Sequence, residues 1–154
     1  MSEVNNVSDM SNVRVVDELL NKYAESHQNR VNELIHFVCV PAIMWTVLGL
    51  IWAIHPIAAL VSALLALGYY ISLSIPFAIG MSMMAAAMLG ILYLMPAAIV
   101  LPSALGVFVV AWIFQFIGHK IEGKKPSFFD DLRFLLIGPL FVLGFLYRRL
   151  HISY

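Results

Sequence analysis

Apolar positions along this chain follow two regimes. From Val15 to Tyr23 they recur at helical spacing, at Val15, Val16, Leu19, Leu20 and Tyr23, with charged and amide residues between them. That spacing predicts an N-terminal amphipathic helix lying at a membrane surface. Val31, Leu34 and Ile35 resume the pattern. From Phe37 through His119 its polar half disappears, and there is no Asp, Glu, Lys or Arg. A single helix needs ~20 apolar residues to cross a bilayer, so this stretch must cross several times.

Prolines and small polar residues divide the uncharged stretch. Spans are expected at about Phe37–Ile54, Ile57–Ile75, Phe77–Leu94 and Ala97–Gly118, separated by "HP", "SIP" and "MP". Such short connections force consecutive helices to be antiparallel neighbours. A final apolar run, Phe134–Tyr147, is shorter and carries a Gly138–Pro139 interruption, which suggests a re-entrant or interfacial helix. The string "SFFD", Ser127 to Asp130, fits a capping box starting that helix. Residues 1–13, rich in Ser, Asn and Asp, read as a flexible tail, and 14–154 as one membrane-embedded helical domain. The fold class is therefore all-α and polytopic, with four transmembrane helices.

Charge orients this arrangement. Every Lys and Arg lies before residue 37 or after residue 118. The positive-inside bias puts the N-terminal segment and the loop "HKIEGKKPSFFDDLR" on the cytoplasmic side, which an even number of crossings satisfies. His27, His36 and His119 then share one membrane face. Composition agrees: of the 154 residues 62% are apolar and 12% charged, against about half and a quarter in soluble domains. The formal net charge is zero, so nothing suggests a nucleic-acid partner. The single cysteine, Cys39, excludes an internal disulfide and any multi-thiolate metal site.

The chemistry sits at the edges of the apolar core. Asn32 and His36 are four apart and share a helix face, as do Gln115 and His119, with Glu122 one turn further on. His27 and His36 are nine residues apart, or two and a half turns, which would point their rings apart on one straight helix. The turn-forming residues of "SHQNR" make a helix break near residue 29 plausible, and a break would let both rings serve one site. Any one of these histidines alone has an ordinary reading, bonded to water or phosphate at headgroup level. Together they suggest a metal held by His27, His36 and His119. Asn32 and Glu122 are placed to receive the second ring N–H of a ligand. Imidazoles suit iron, zinc, copper or nickel, so spacing leaves the metal open. His55, beside Pro56, reads as a boundary residue, and His151 as a tail group. Trp45, Trp52 and Trp112 read as interfacial aromatics. "MSMMAAAM" reads as lipid-facing or helix-packing surface. There is no G-x-S-x-G, glycine-rich phosphate loop or H-E-x-x-H, and no clustered histidine boxes of membrane desaturases.

"SHQNRVNELIHFVCVP" and "WIFQFIGHKIEGKKPSFFDDLRFLLIGPLFV" together resemble the membrane family of iron-dependent 2-hydroxy fatty acid dioxygenases. The shared pattern is H-x4-N-x3-H-x4-P near the start and W-x2-Q-F-x-G-H, then Glu and Pro, near the end. It covers about 50 residues at the two edges of the membrane core. The resemblance implies Fe(II) on His27, His36 and His119, with Asn32 and Glu122 as their companions at a catalytic site. It implies oxidative shortening of a long-chain 2-hydroxy fatty acid by one carbon with dioxygen, in a lipid bilayer. A bacterial member would sit in the inner membrane; eukaryotic members act in the endoplasmic reticulum, in phytosphingosine breakdown. Lys124 or Lys125 could attract the substrate carboxylate. The reading from another class is a non-catalytic lipid-binding or assembly protein that uses the same histidines structurally.

Overall fold

The computed structural model describes residues 14–154. The expected tail, 1–13, lies outside the described residues. Among the described residues there are six α-helices and no strand. They are α1 (Val15–Ala24), α2 (Arg30–Ile54), α3 (Pro56–Leu73), α4 (Ile75–Leu94), α5 (Ala97–Glu122) and α6 (Phe134–Arg149), with a short 3-10 turn at Ser127–Phe129. Helices α2 to α5 are long and apolar enough to cross a membrane, which makes the chain a multi-pass membrane protein.

The junctions between spans are as tight as the prolines suggest. His55 alone joins α2 to α3, in extended backbone, and its Nδ1 accepts the Ile57 N–H at 3.2 Å. Pro56 opens α3 at a position where a missing N–H costs nothing. Ser74 likewise precedes Ile75–Pro76, and Pro96 precedes α5. Two spans are longer than expected: α2 begins at Arg30 rather than Phe37, and α5 continues past Gly118 to Glu122. His36 and His119 are therefore held within helices, not on frayed ends. Gly123, at φ 74°, ends α5 in the left-handed conformation that glycine adopts without strain, and its N–H bonds the His119 carbonyl.

Helix α5 packs chiefly along α2. Glycines let the two backbones approach. A Cβ on Gly49 would sit 3.1 Å from that of Ala104, and one on Gly118 would collide with Asn32 Oδ1.

The last helix settles the reading of the C-terminal run. Tyr70, at the end of α3, donates to the Leu136 carbonyl at 3.0 Å, and Tyr147 donates to the Pro76 carbonyl, at the start of α4, at 2.7 Å. Both ends of α6 thus touch the same end of the α3–α4 hairpin, so α6 lies across that end as an interfacial element. Gly138–Pro139 does not interrupt it, contrary to expectation: Ile137 and Leu140 are fully buried, and packing holds the turn that lacks Pro139's N–H. The apolar stripe of α1 (Val16, Leu20, Tyr23) is buried in the same cluster as Ile137, Leu140 and Phe141 of α6. "SFFD" is not the cap of α6 either. It forms the 3-10 turn, Asp130 pairs with Lys125 at 2.5 Å, and Asp131 accepts the Arg133 N–H ahead of the helix.

Candidate metal centre

Three separate segments deliver the three histidines. Helix α1 stops at Ala24 and α2 starts at Arg30, with the Asn29 side chain accepting the Val31 N–H at 2.9 Å as its N-cap. His27 sits in that break, and its ring is free of the helical register that would have turned it from His36. His36 projects from the second turn of α2, and His119 from the last turn of α5. All three are at most 5% exposed. Their ring centroids lie 4.2 Å (His27–His36), 5.0 Å (His27–His119) and 4.9 Å (His36–His119) apart, with the rings nearly perpendicular in each pair. One ring nitrogen from each lies within 4.8 Å of the other two.

Main-chain carbonyls fix two of the tautomers. His27 Nδ1 lies 2.7 Å from the Tyr23 carbonyl, and His36 Nδ1 lies 2.8 Å from the Asn32 carbonyl. A carbonyl only accepts, so each Nδ1 carries the proton and each Nε2 keeps its lone pair. Tyr23 also stacks on His27, with centroids 4.1 Å apart and planes 9° from parallel. Burial pushes the His27 imidazolium down to about 4, and the neighbouring His119 pushes the same way. The Tyr23 carbonyl and Glu122 oppose the shift without cancelling it. The ring is therefore neutral near pH 7, as a ligand must be. Buried Tyr23 has its phenol pKa raised by the same desolvation.

The donor set fits a cation. His27 Nε2 and His119 Nδ1 are buried without any hydrogen-bond partner. Buried polar atoms are seldom left so, and a cation bound among the three rings would satisfy both. Nitrogens on one ion, at ~2.1 Å each, lie roughly 3 to 4 Å apart, so small side-chain rotations close the set. Cys39, buried on α2, is not part of the cluster.

Asn32 and Glu122 are close by, but their roles differ from a direct bond to an imidazole. Asn32 serves His36 through its backbone carbonyl. Glu122 accepts the main-chain N–H of Gln28 at 2.9 Å and of Asn29 at 2.8 Å, and the Asn32 amide at 3.2 Å. Its carboxylate pins the loop that carries His27 to the end of α5. Ser26 Oγ meets Ser127 Oγ at 2.6 Å, and Lys124 Nζ donates to the Glu25 carbonyl at 2.6 Å, lacing the same loop to residues 123–127. Lys124 and Lys125 are thus both engaged outside the histidine cluster.

The cluster opens on a cavity of about 590 Å³ running down between α2, α3, α4 and α5, with walls almost wholly apolar. Such a volume is within the ordinary range of small-molecule sites. Two further α5 residues face it. Gln115, 5% exposed, has its Nε2 without a partner, and Trp112 has its indole N–H buried and unpaired. The sequence places Trp112 at the lipid interface, whereas the structure puts its indole in the cavity wall. Its spacing of three from Gln115 and seven from His119 was the available signal that it shares their face. His55 and His151 lie on the exposed surface away from the cluster.

Residues 13–150 match the Mpo1-like family, described as 2-hydroxy-palmitic acid dioxygenase Mpo1-like. The chain is 28% identical over 132 residues to the 2-hydroxy-palmitic acid dioxygenase MPO1 of Saccharomyces cerevisiae, covering 79% of this chain and 73% of that protein. No solved structure matches.

Proposed function

The chain belongs to the Mpo1-like family, and we propose on that footing that it is an Fe(II)-dependent dioxygenase that shortens long-chain 2-hydroxy fatty acids by one carbon. What carries the reading is three clustered, buried imidazoles, two of them with an unpaired nitrogen, opening directly on a long apolar cavity. We place the site at the cytoplasmic face of a bacterial inner membrane, or of the endoplasmic reticulum in a eukaryotic cell.

His27, His36 and His119 would hold the ion, and the Tyr23 and Asn32 carbonyls keep two of the rings in the ligating tautomer. A ferrous ion held there would supply dioxygen binding and reduction, and a charge for the substrate's hydroxyl and carboxylate to bind. The Gln115 amide, one turn from His119, donates a hydrogen bond to the acid headgroup, a task the engaged lysines do not perform. The cavity walls take the tail and exclude water. Overall, R–CH(OH)–COOH and O2 give R–COOH, CO2 and H2O. The α-carbon gives up three electrons and the carboxyl carbon one, which together reduce O2, so no external reductant is consumed.

The test supplies 2-hydroxypalmitic acid to the full-length, Fe(II)-loaded protein without any reductant. Dioxygen uptake should match release of the acid one carbon shorter, and palmitic acid, lacking the chelating hydroxyl, should be inert. Iron-loaded protein that leaves 2-hydroxy acids of every length untouched would defeat this reading in favour of a lipid-binding or structural role.

A further inference from the structure

The cavity has a polar end and an apolar end. At the first lie the histidines and Gln115, whose amide nitrogen is buried without a partner. At the second, four lining residues from four helices lie at one depth. Leu48 is twelve residues beyond His36 and Phe108 eleven before His119, which is about 16 to 18 Å along the helices. Ala63 is ten residues before the end of α3 and Ala85 ten after the start of α4, or about 15 Å from the histidine end. Only Ile51 and Ser62 of the lining lie deeper, and at this level Leu48 and Ala63 pack with Met88, Leu92 and Val100 in a buried cluster that borders the space. A void among apolar side chains normally costs stability, so its persistence beside two alanines calls for an occupant. An occupant with one polar end and one long apolar end is an amphiphile with a single acyl tail.

Resting on the dioxygenase reading above, we infer that Ala63 and Ala85, with Leu48, form the floor of an acyl channel and set the longest tail that the site takes. A tail shorter than the channel leaves wall uncovered. Each added methylene then tightens binding about fourfold, the equivalent of ~0.8 kcal/mol. Once the tail reaches the floor the gain stops. The headgroup stays at the imidazoles for every chain length, so the floor alone decides where the plateau begins.

The experiment measures binding, not turnover. The full-length Fe(II)-loaded protein is titrated anaerobically with saturated 2-hydroxy acids of increasing length. Affinity should climb about fourfold per methylene and then level off. Ala63→Phe should move the plateau to shorter acids, Ala85→Leu should do so to a lesser degree, and Leu48→Ala should move it to longer ones. An extension in Leu48→Ala is not something misfolding can produce, so that variant decides the matter if Ala63→Phe fails to fold. A plateau unmoved in folded Leu48→Ala and Ala85→Leu overturns the floor while leaving the dioxygenase reading intact. A wild-type protein that binds no 2-hydroxy acid of any length overturns both.

Discussion

Glu122 touches no imidazole ring through a hydrogen bond, yet it holds two N–H groups of the segment that carries His27 and the amide of Asn32. It is a positioning residue. Glu122→Ala should lower metal affinity roughly 10- to 100-fold, as loss of a ligand's support typically does. Glu122→Gln, which keeps one acceptor oxygen, should recover part of that loss. Metal titration of the two variants checks the order, and equal affinities in both and in the parent would contradict it. His27 makes a second prediction, for the metal-free protein. Its folded value of about 4 lies below the ordinary 6.5, so between these values the unfolded chain binds more protons. His27 should contribute nothing to the pH dependence above about pH 6.5 and should lower stability by up to about 3 kcal/mol as pH drops towards 4. Denaturation midpoints across that window test the sign; a protein that gains stability from pH 7 to 5 would refute it.

At the scale of elements, the two helices that carry His36 and His119 depend on close approach at Gly118. Gly118→Ala places a methyl group against Asn32 Oδ1 and Ile35. Asn32 cannot yield without disturbing the carbonyl that orients His36. We expect the variant to remain helical but to bind metal at least 10-fold more weakly; circular dichroism paired with metal titration reads both. Much of the element pattern was legible in the sequence. The prolines marked every junction, and "SHQNR" marked the break that frees His27, because turn residues and proline act locally. The misread parts depend on distant partners. Pro139 remains in a helix because α1 and α4 pack around α6, and "SFFD" loses its cap role because Asp130 pairs with Lys125 instead. Trp112 looked interfacial because position along a span is visible in sequence, whereas the side of the helix that faces a cavity is not.

For the whole molecule, four crossings return the chain to the side where it began and bring residue 27 to residue 119. Charge placement alone made that convergence readable, since every Lys and Arg flanks the uncharged stretch. The cavity was not readable, because no sequence pattern records space left between four helices. We propose that His27, His36 and His119 together hold one ferrous ion. Iron content of anaerobically purified protein tests it most directly, measured for the parent and for His27→Ala, His36→Ala and His119→Ala with helical content monitored alongside. One iron per chain is expected in the parent, with near-complete loss in each variant at unchanged helicity. Full iron content in any one of the three variants, or an iron-free parent that also fails to take up Fe(II), would contradict it.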